Sequence, residues 1–270
     1  LNRHSLGHQR LSKRYALGIL SSDCISSSAY GSEQILIALL PAFGLAAFSI
    51  LMPMTAVVLT ILVIITLSYR DVINVYTKVG GAYIVSRDNF GPVVAQIAAV
   101  ALMLDYIVTV AIQSAAGVAA IVSTFPSLHG YKIPMILAVI VLLTYGNLRG
   151  VKEAGKAFAL PTYFFVGCMF IVFSMGIYRV ATGTLDVLPT DLPGAVPVGE
   201  SQGLLTFAAI FILLRAFANG GSSLTGLEAI SDGVALFKTP EHINARRTLY
   251  VMSTLLGTLV LGVSWFAHKI

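Results

Sequence analysis

The sequence predicts an all-α fold, a polytopic bundle of transmembrane helices built as an inverted repeat with two broken helices. Three observations carry this. Hydrophobic residues make up 57% of the 270 and charged residues only 11%, against roughly 25% charged in soluble domains. The charges fall in clusters between apolar runs of about 20 residues, the length that crosses a bilayer. Two of those runs are interrupted by Ser- and Gly-rich stretches of closely similar sequence. No run alternates with period two, which argues against a membrane barrel. A soluble enzyme, a disordered chain and a disulfide scaffold are excluded by composition. Cys24 and Cys168 both lie inside apolar runs and read as buried thiols.

Seven spans follow in order: Ala16–Leu40, Leu45–Leu67, Val93–Val122, Ile133–Tyr145, Ala157–Ile177, Gly203–Leu236 and Leu249–Ala267. The fourth is short. The third and sixth exceed what a straight crossing needs, so they are tilted, extended or broken. The segment after Lys13-Arg14 is too long for a signal-peptide core and lacks a small-residue cleavage site.

The loops orient the chain. With the N-terminus inside, Arg3, Arg10, Lys13, Arg14, Arg70, Lys78, Arg87, Arg149, Lys152, Lys156, Lys238, Arg246 and Arg247 share one side, 13 of the 17 Lys and Arg. Lys132, Arg179 and Lys269 take the other, where a long loop carries Asp186, Asp191 and Glu200; Arg215 falls within a span. The positive-inside rule then places the N-terminus in the cytoplasm of a multi-pass plasma-membrane protein. The basic balance of +5 is an orientation signal, not a sign of nucleic-acid binding.

Span one is interrupted at Ser26-Ser27-Ser28-Ala29-Tyr30-Gly31, and span six at Asn219-Gly220-Gly221-Ser222-Ser223 and Gly226. Gly entropy and Ser/Asn competition for backbone bonds weaken a helix at such places. In lipid, unwound backbone survives only inside protein or beside a polar cavity. Ser27-Ser28-x-x-Gly31-x-Glu33-x-Ile35 matches Ser222-Ser223-x-x-Gly226-x-Glu228-x-Ile230. The second copy comes five helices after the first and so crosses in the opposite direction, as in carriers whose broken helices meet at the midplane. The expected organisation is a single transmembrane domain: a tail over 1–15, a first repeat over 16–180 and the start of a second over 203–270.

Five carboxylates fall in or at the end of spans: Asp23, Glu33, Asp105, Glu228 and Asp232. A mid-membrane acid costs about 3 kcal/mol on insertion scales and by default marks an ion or proton path. Asp23 and Tyr30 flank the first break. Asp105 leads a narrow stripe with Thr109 and Gln113, and Thr225 and Glu228 follow the second break on one face. Each has a bland alternative. Asp23 could cap a helix or pair with a base, and Asp105 could be a protonated structural acid. Thr109 and Thr225 could be back-bonded to their own helices, Tyr30 could be a packed aromatic, and Asp232 reads better as a solvated helix end. Glu33 and Arg215 are expected at similar depth in the outer half, each within about 10 Å of the midplane, as an ion pair that could gate the path. The alternative has Arg215 snorkelling to the headgroups.

The loop from Tyr69-Arg70-Asp71 to Gly80-Gly81-Ala82-Tyr83 resembles the one after helix two in the amino acid–polyamine–cation (APC) superfamily. Asp23 with Tyr30-Gly31-Ser32-Glu33-Gln34-Ile35, Asp105-Tyr106 with Thr109, and Leu224-Thr225-Gly226-Leu227-Glu228-Ala229-Ile230-Ser231 resemble the KimA-type potassium importers of the Kup group. The resemblance implies a LeuT-like fold and proton-coupled potassium uptake by alternating access. It implies a potassium path through Asp23, Tyr30, Asp105, Thr109, Thr225 and Glu228, with Asp105 and Glu228 in proton coupling. Gln113 departs from it, standing where a small hydroxyl is expected. The chain also stops near the end of helix seven, so it is expected to be a fragment that does not transport alone.

The residues support a cation independently. A break ringed by acids and lacking a Gly-x-Gly run repels a substrate carboxylate and attracts a bare cation. Potassium and protons are then the transported species, with no resident cofactor, no enzymatic activity and no nucleic-acid partner; the bilayer is the surrounding partner and a homodimer stays open. Two other readings remain: an amino-acid or polyamine permease of the same fold, and a non-transporting scaffold or sensor.

Overall fold

The structure is a computed structural model that describes residues 10–77, 80–148, 151–186, 198–199 and 206–269, without the side chains of 147 and 151–158. Arg3, Lys78, Arg149, Asp191, Glu200 and the start of span six at Gly203 lie outside the described residues, as do the side chains of Lys152 and Lys156.

The described chain is helical apart from turns and a single bridge between Leu11 and Phe237. Span one is divided into α1 (Lys13–Leu20), α2 (Ser22–Ser26) and α3 (Gly31–Phe43), with a 3-10 turn at Ser27–Ala29. Span two is α4 (Ala47–Val75). A short helix α5 (Gly81–Phe90) precedes α6 (Pro92–Thr124), α7 (Lys132–Leu148) and α8 (Val151–Thr182). Span six comprises α9 (Phe207–Gly221), a 3-10 turn at Ser222–Leu224 and the four-residue α10 (Ala229–Asp232). Span seven is α11 (Glu241–Lys269).

Six stretches among the described residues are long and apolar enough to cross a membrane. Seven spans become six because the turn at Gly44–Ala46 links α3 to α4 in one apolar run, Ser22–Val75, of 54 residues. That is more than twice the length of one crossing. The weak fourth span is a regular helix of 17 residues. The long third span is one unbroken helix of 33, whereas the sixth does not continue as an α-helix to Leu236: after Asp232 come Gly233 and a 3-10 turn.

The chain divides into two compact units. One gathers Leu1–Ser22, Tyr69–Pro161 and Glu228–Thr248; the other gathers Asp23–Ser68, Thr162–Leu227 and Leu249–Ile270. In the first, Leu11 is threaded onto the strand-like end of span six. Its N–H donates to Leu236 O at 2.7 Å and its carbonyl accepts from Lys238 N–H at 3.1 Å. An Arg10–Glu241 ion pair at 2.8 Å closes this tie.

In the second unit α3 and α9 pack antiparallel. A Cβ on Gly31 would lie 2.6 Å from Ser223 Cβ, and one on Gly220 would lie 2.7 Å from Ile35. Small residues let these backbones approach, which is how helices associate in lipid. Leu39, Phe43, Leu51 and Ala216 fill the core beside them.

Helices α4 and α11 meet in a seam with internal symmetry. Thr55 Oγ1 donates to Ser264 Oγ at 2.9 Å, and Thr66 Oγ1 to Ser253 Oγ at 2.9 Å. The buried positions Leu51, Thr55, Val58, Leu62 and Thr66 on α4 match Leu249, Ser253, Leu256, Val260 and Ser264 on α11 in spacing and character. Each helix therefore offers the other the same face, the property of an isologous two-fold contact. Ser32 joins through a 2.7 Å bond to Ser264, tying α3 to the seam.

Candidate functional site

Both joins between the units in the broken segments, Ser22–Asp23 and Leu227–Glu228, fall among the predicted site residues. The candidate residues are therefore divided between the two units.

The second unit carries Asp23, Tyr30 and Thr225. Asp23 lies in the first turn of α2, and its carbonyl accepts from Ser26 Oγ at 2.9 Å and Ser27 Oγ at 3.0 Å. These are the local serine bonds that compete with the helix ladder. Tyr30 is buried, with its phenol 3.0 Å from Ser27 Oγ. Gly226 has φ +84°, and a Cβ there would lie 2.9 Å from Asp23 Oδ2. The Asp23 carboxylate thus abuts the backbone of the second break. Thr225, in extended conformation, donates its hydroxyl to Ser222 O at 3.1 Å, which is the back-bonded geometry.

The first unit carries Asp105, Thr109 and Glu228. Asp105 is half-buried and Thr109 buried on α6. Glu228 is 7% exposed and caps α10, its carbonyl accepting from Ser231 Oγ at 2.8 Å and Asp232 N–H at 2.9 Å. Glu228, Asp232 and Asp105 all act electrostatically on the phenol of Tyr69. Tyr69 was not singled out for the site from sequence; it stands where the apolar run of span two gives way to Arg70-Asp71, and an aromatic there looks like an ordinary membrane-interface residue. Asp232 corrects the solvated reading. It is half-buried and accepts a 3.2 Å bond from Tyr106 Oη, because α10 is too short to carry its end into water.

Glu33 and Arg215 are both exposed, on α3 and α9. No ion pair within 4 Å joins them among the described residues, although Arg70–Asp71 and Arg10–Glu241 do pair. The contacts Gly31–Ser223, Gln34–Asn219 and Ile35–Gly220 set the register. They place Arg215 level with Leu39, roughly 9 Å along the axis from Glu33.

Among the described residues no three His, Cys, Asp or Glu side chains form a chelating group. An apolar groove of about 440 Å³ between α4 and α11, lined by Leu59, Leu62, Leu67 and Gly257 among others, contains no acid and is not this site.

Antiparallel broken helices with a carboxylate at their contact are an arrangement found in membrane carriers of the discontinuous-helix class. The amino acid permease family pattern matches residues 16–267, and the chain belongs to that family, one of carriers and not of enzymes. The potassium transporter KimA of Bacillus subtilis (strain 168) is 41% identical over 268 residues, which is 99% of this chain and 43% of that protein. This chain thus spans less than half the length of that relative. The resemblance read from Asp23, Tyr30, Asp105, Thr109, Thr225 and Glu228 is borne out at the level of family and relative.

Proposed function

We propose that this chain carries the ion half-sites of a proton-coupled potassium symporter. The observation behind the proposal is the Asp23 carboxylate set against Gly226, beside Tyr30 and Thr225, with Glu228 buried in the other half-site. A dehydrated potassium ion wants carboxylate, hydroxyl and carbonyl oxygens, and these residues supply all three kinds. The likeness to a potassium transporter supports the same reading. Asp105 and Glu228 would take and release the coupled proton, Glu33 and Arg215 would guard the outer mouth, and the N-terminus would be cytoplasmic. The 16–180 and 203–270 segments would be the two repeats, which the matched faces of α4 and α11 support.

The description of the matching family favours one competitor, an amino-acid or polyamine permease. Expression of the full-length gene in a host lacking potassium uptake separates the two. Growth at low potassium without uptake of labelled amino acid or polyamine supports the symporter, and the reverse result replaces it with the permease. In the active protein, Asp105→Asn should abolish uptake or remove its pH dependence. An active variant with the wild-type pH profile would take Asp105 out of coupling.

A further inference from the structure

We infer that Asp232 is the catch of an inner latch that positions Glu228. Helix α5 begins at Gly81 behind Gly80, a residue with no side chain to cap it. The first N–H groups of a helix need acceptors, and a carboxylate there also meets the positive end of the helix dipole. Asp232 reaches that end from a segment distant in sequence: its carboxylate lies directly against Gly81 at the start of α5, its buried Oδ1 without a hydrogen-bond partner within reach among the described residues. The same carboxylate accepts from Tyr106 Oη at 3.2 Å, so one side chain ties α10 to α6 and seats it against the start of α5.

Gly81 makes this possible. It has φ +32°, and a Cβ there would fall on Asp232 Oδ1 and lie 2.7 Å from Cγ. Only glycine lets the carboxylate reach the helix end. The element held is small: α10 has four residues, from Ala229 to Asp232, with Glu228 as its N-cap. So short a helix has little stability of its own, and the direction of Glu228 depends on what holds its far end. One side chain bonded to α6 and lodged at the start of α5, on a short element ending at a site residue, is a device that can open and close. The inference rests on Glu228 lying on the ion path.

The test uses the full-length protein without its native cysteines, carrying Ser231→Cys, in inside-out vesicles with a membrane-impermeant thiol reagent. Ser231 is 1% exposed, next to the catch. Asp232→Ala, Tyr106→Phe and Gly81→Ala should each speed labelling by about tenfold, the worth of a hydrogen bond to a charged group. Asp232→Asn, which keeps one acceptor oxygen and the side-chain shape, should stay nearer wild type. Adding Tyr106→Phe to Asp232→Ala should bring little further change, because the carboxylate that its hydroxyl holds is already gone; general destabilisation would add. Potassium should slow labelling with the latch intact and have no effect in Asp232→Ala. Equal labelling in all variants, or fully additive effects, overturns the latch. Faster labelling in the variants with no potassium effect in any background leaves the latch standing and removes the potassium reading.

Discussion

The two helix breaks are built from the same residues and do different things. After Ser27-Ser28 the chain makes one 3-10 turn and resumes at Gly31 as a helix of 13 residues. After Ser222-Ser223 it opens fully: Thr225 is extended, Gly226 turns at φ +84°, and the resumed helix has four residues. The glutamates two positions beyond the glycines part accordingly. Glu33 sits exposed in the first turn of a stable helix, whereas Glu228 is buried as the cap of a short one. One motif thus yields a tight bend in one copy and a polar opening in the other. The difference comes from what packs against each glycine: Ser223 against Gly31, and the Asp23 carboxylate against Gly226.

The sharpest test of that contrast is charge removal. In the full-length protein, Asp23→Asn or Glu228→Gln should cut potassium uptake by about 100-fold with insertion intact, since a charged ligand lost beside a dehydrated ion is worth up to about 3 kcal/mol. Glu33→Gln should stay within about threefold of wild type, as an exposed charge should. Wild-type uptake by either of the first two variants would remove that residue from the path. Equal loss in all three would erase the distinction between the breaks.

A smaller effect separates the glycines themselves. Gly226→Ala should cost about 1–2 kcal/mol in left-handed backbone strain alone, which trimming Asp23 would not relieve. Gly31→Ala meets only the side chain of Ser223 and should be rescued by Ser223→Gly. Thermal melting of the detergent-solubilised protein reads both, and rescue of Gly226→Ala by Asp23→Ala would show that φ is not the constraint.

The seam between α4 and α11 offers a milder comparison. Removing the Thr66–Ser253 bond (Thr66→Val, Ser253→Ala) should lower stability by about 1 kcal/mol. Removing Thr55–Ser264 should cost somewhat more, because Ser32 loses its partner too. The two bonds lie three helical turns apart, so their effects should add; strong coupling would mean that the seam behaves as one cooperative joint. The smallest effect is expected at the outer pair. Glu33→Arg and Arg215→Glu should each impair uptake slightly, and the double exchange should recover part of it if α3 and α9 bring the two together during transport. Simple addition of the two losses would mark them as unrelated.

Most of the architecture was legible along the chain because its causes are local. Apolar runs of bilayer length, Ser and Gly at helix interruptions and acids within spans are read without knowing what packs where. Asp23, Tyr30 and Glu228 were singled out in this way, since an acid or a break in lipid is costly wherever it points. The place of Tyr69 was not legible, because nothing along the chain tells an ordinary packed or interfacial tyrosine from one within electrostatic reach of Glu228, Asp232 and Asp105. Asp232 was misread for a related reason: proximity to a helix end suggests water, and only the short α10 and the glycine at position 81 turn it onto Tyr106 and the start of α5.

The sequence by itself determined that this is a multi-pass helical membrane protein with two weakened helices and acids beside them, because backbone satisfaction in lipid leaves few alternatives. Only the tertiary structure decided which copy of the shared motif opened, that Asp23 met Gly226, that Arg215 fell level with Leu39, and that Glu228 and not Glu33 was buried. Those outcomes depend on which faces pack together and in what register. A displacement of one residue along a helix turns its side chains by about 100° and changes every neighbour, and a nine-residue motif shared by both breaks contains no term for that choice.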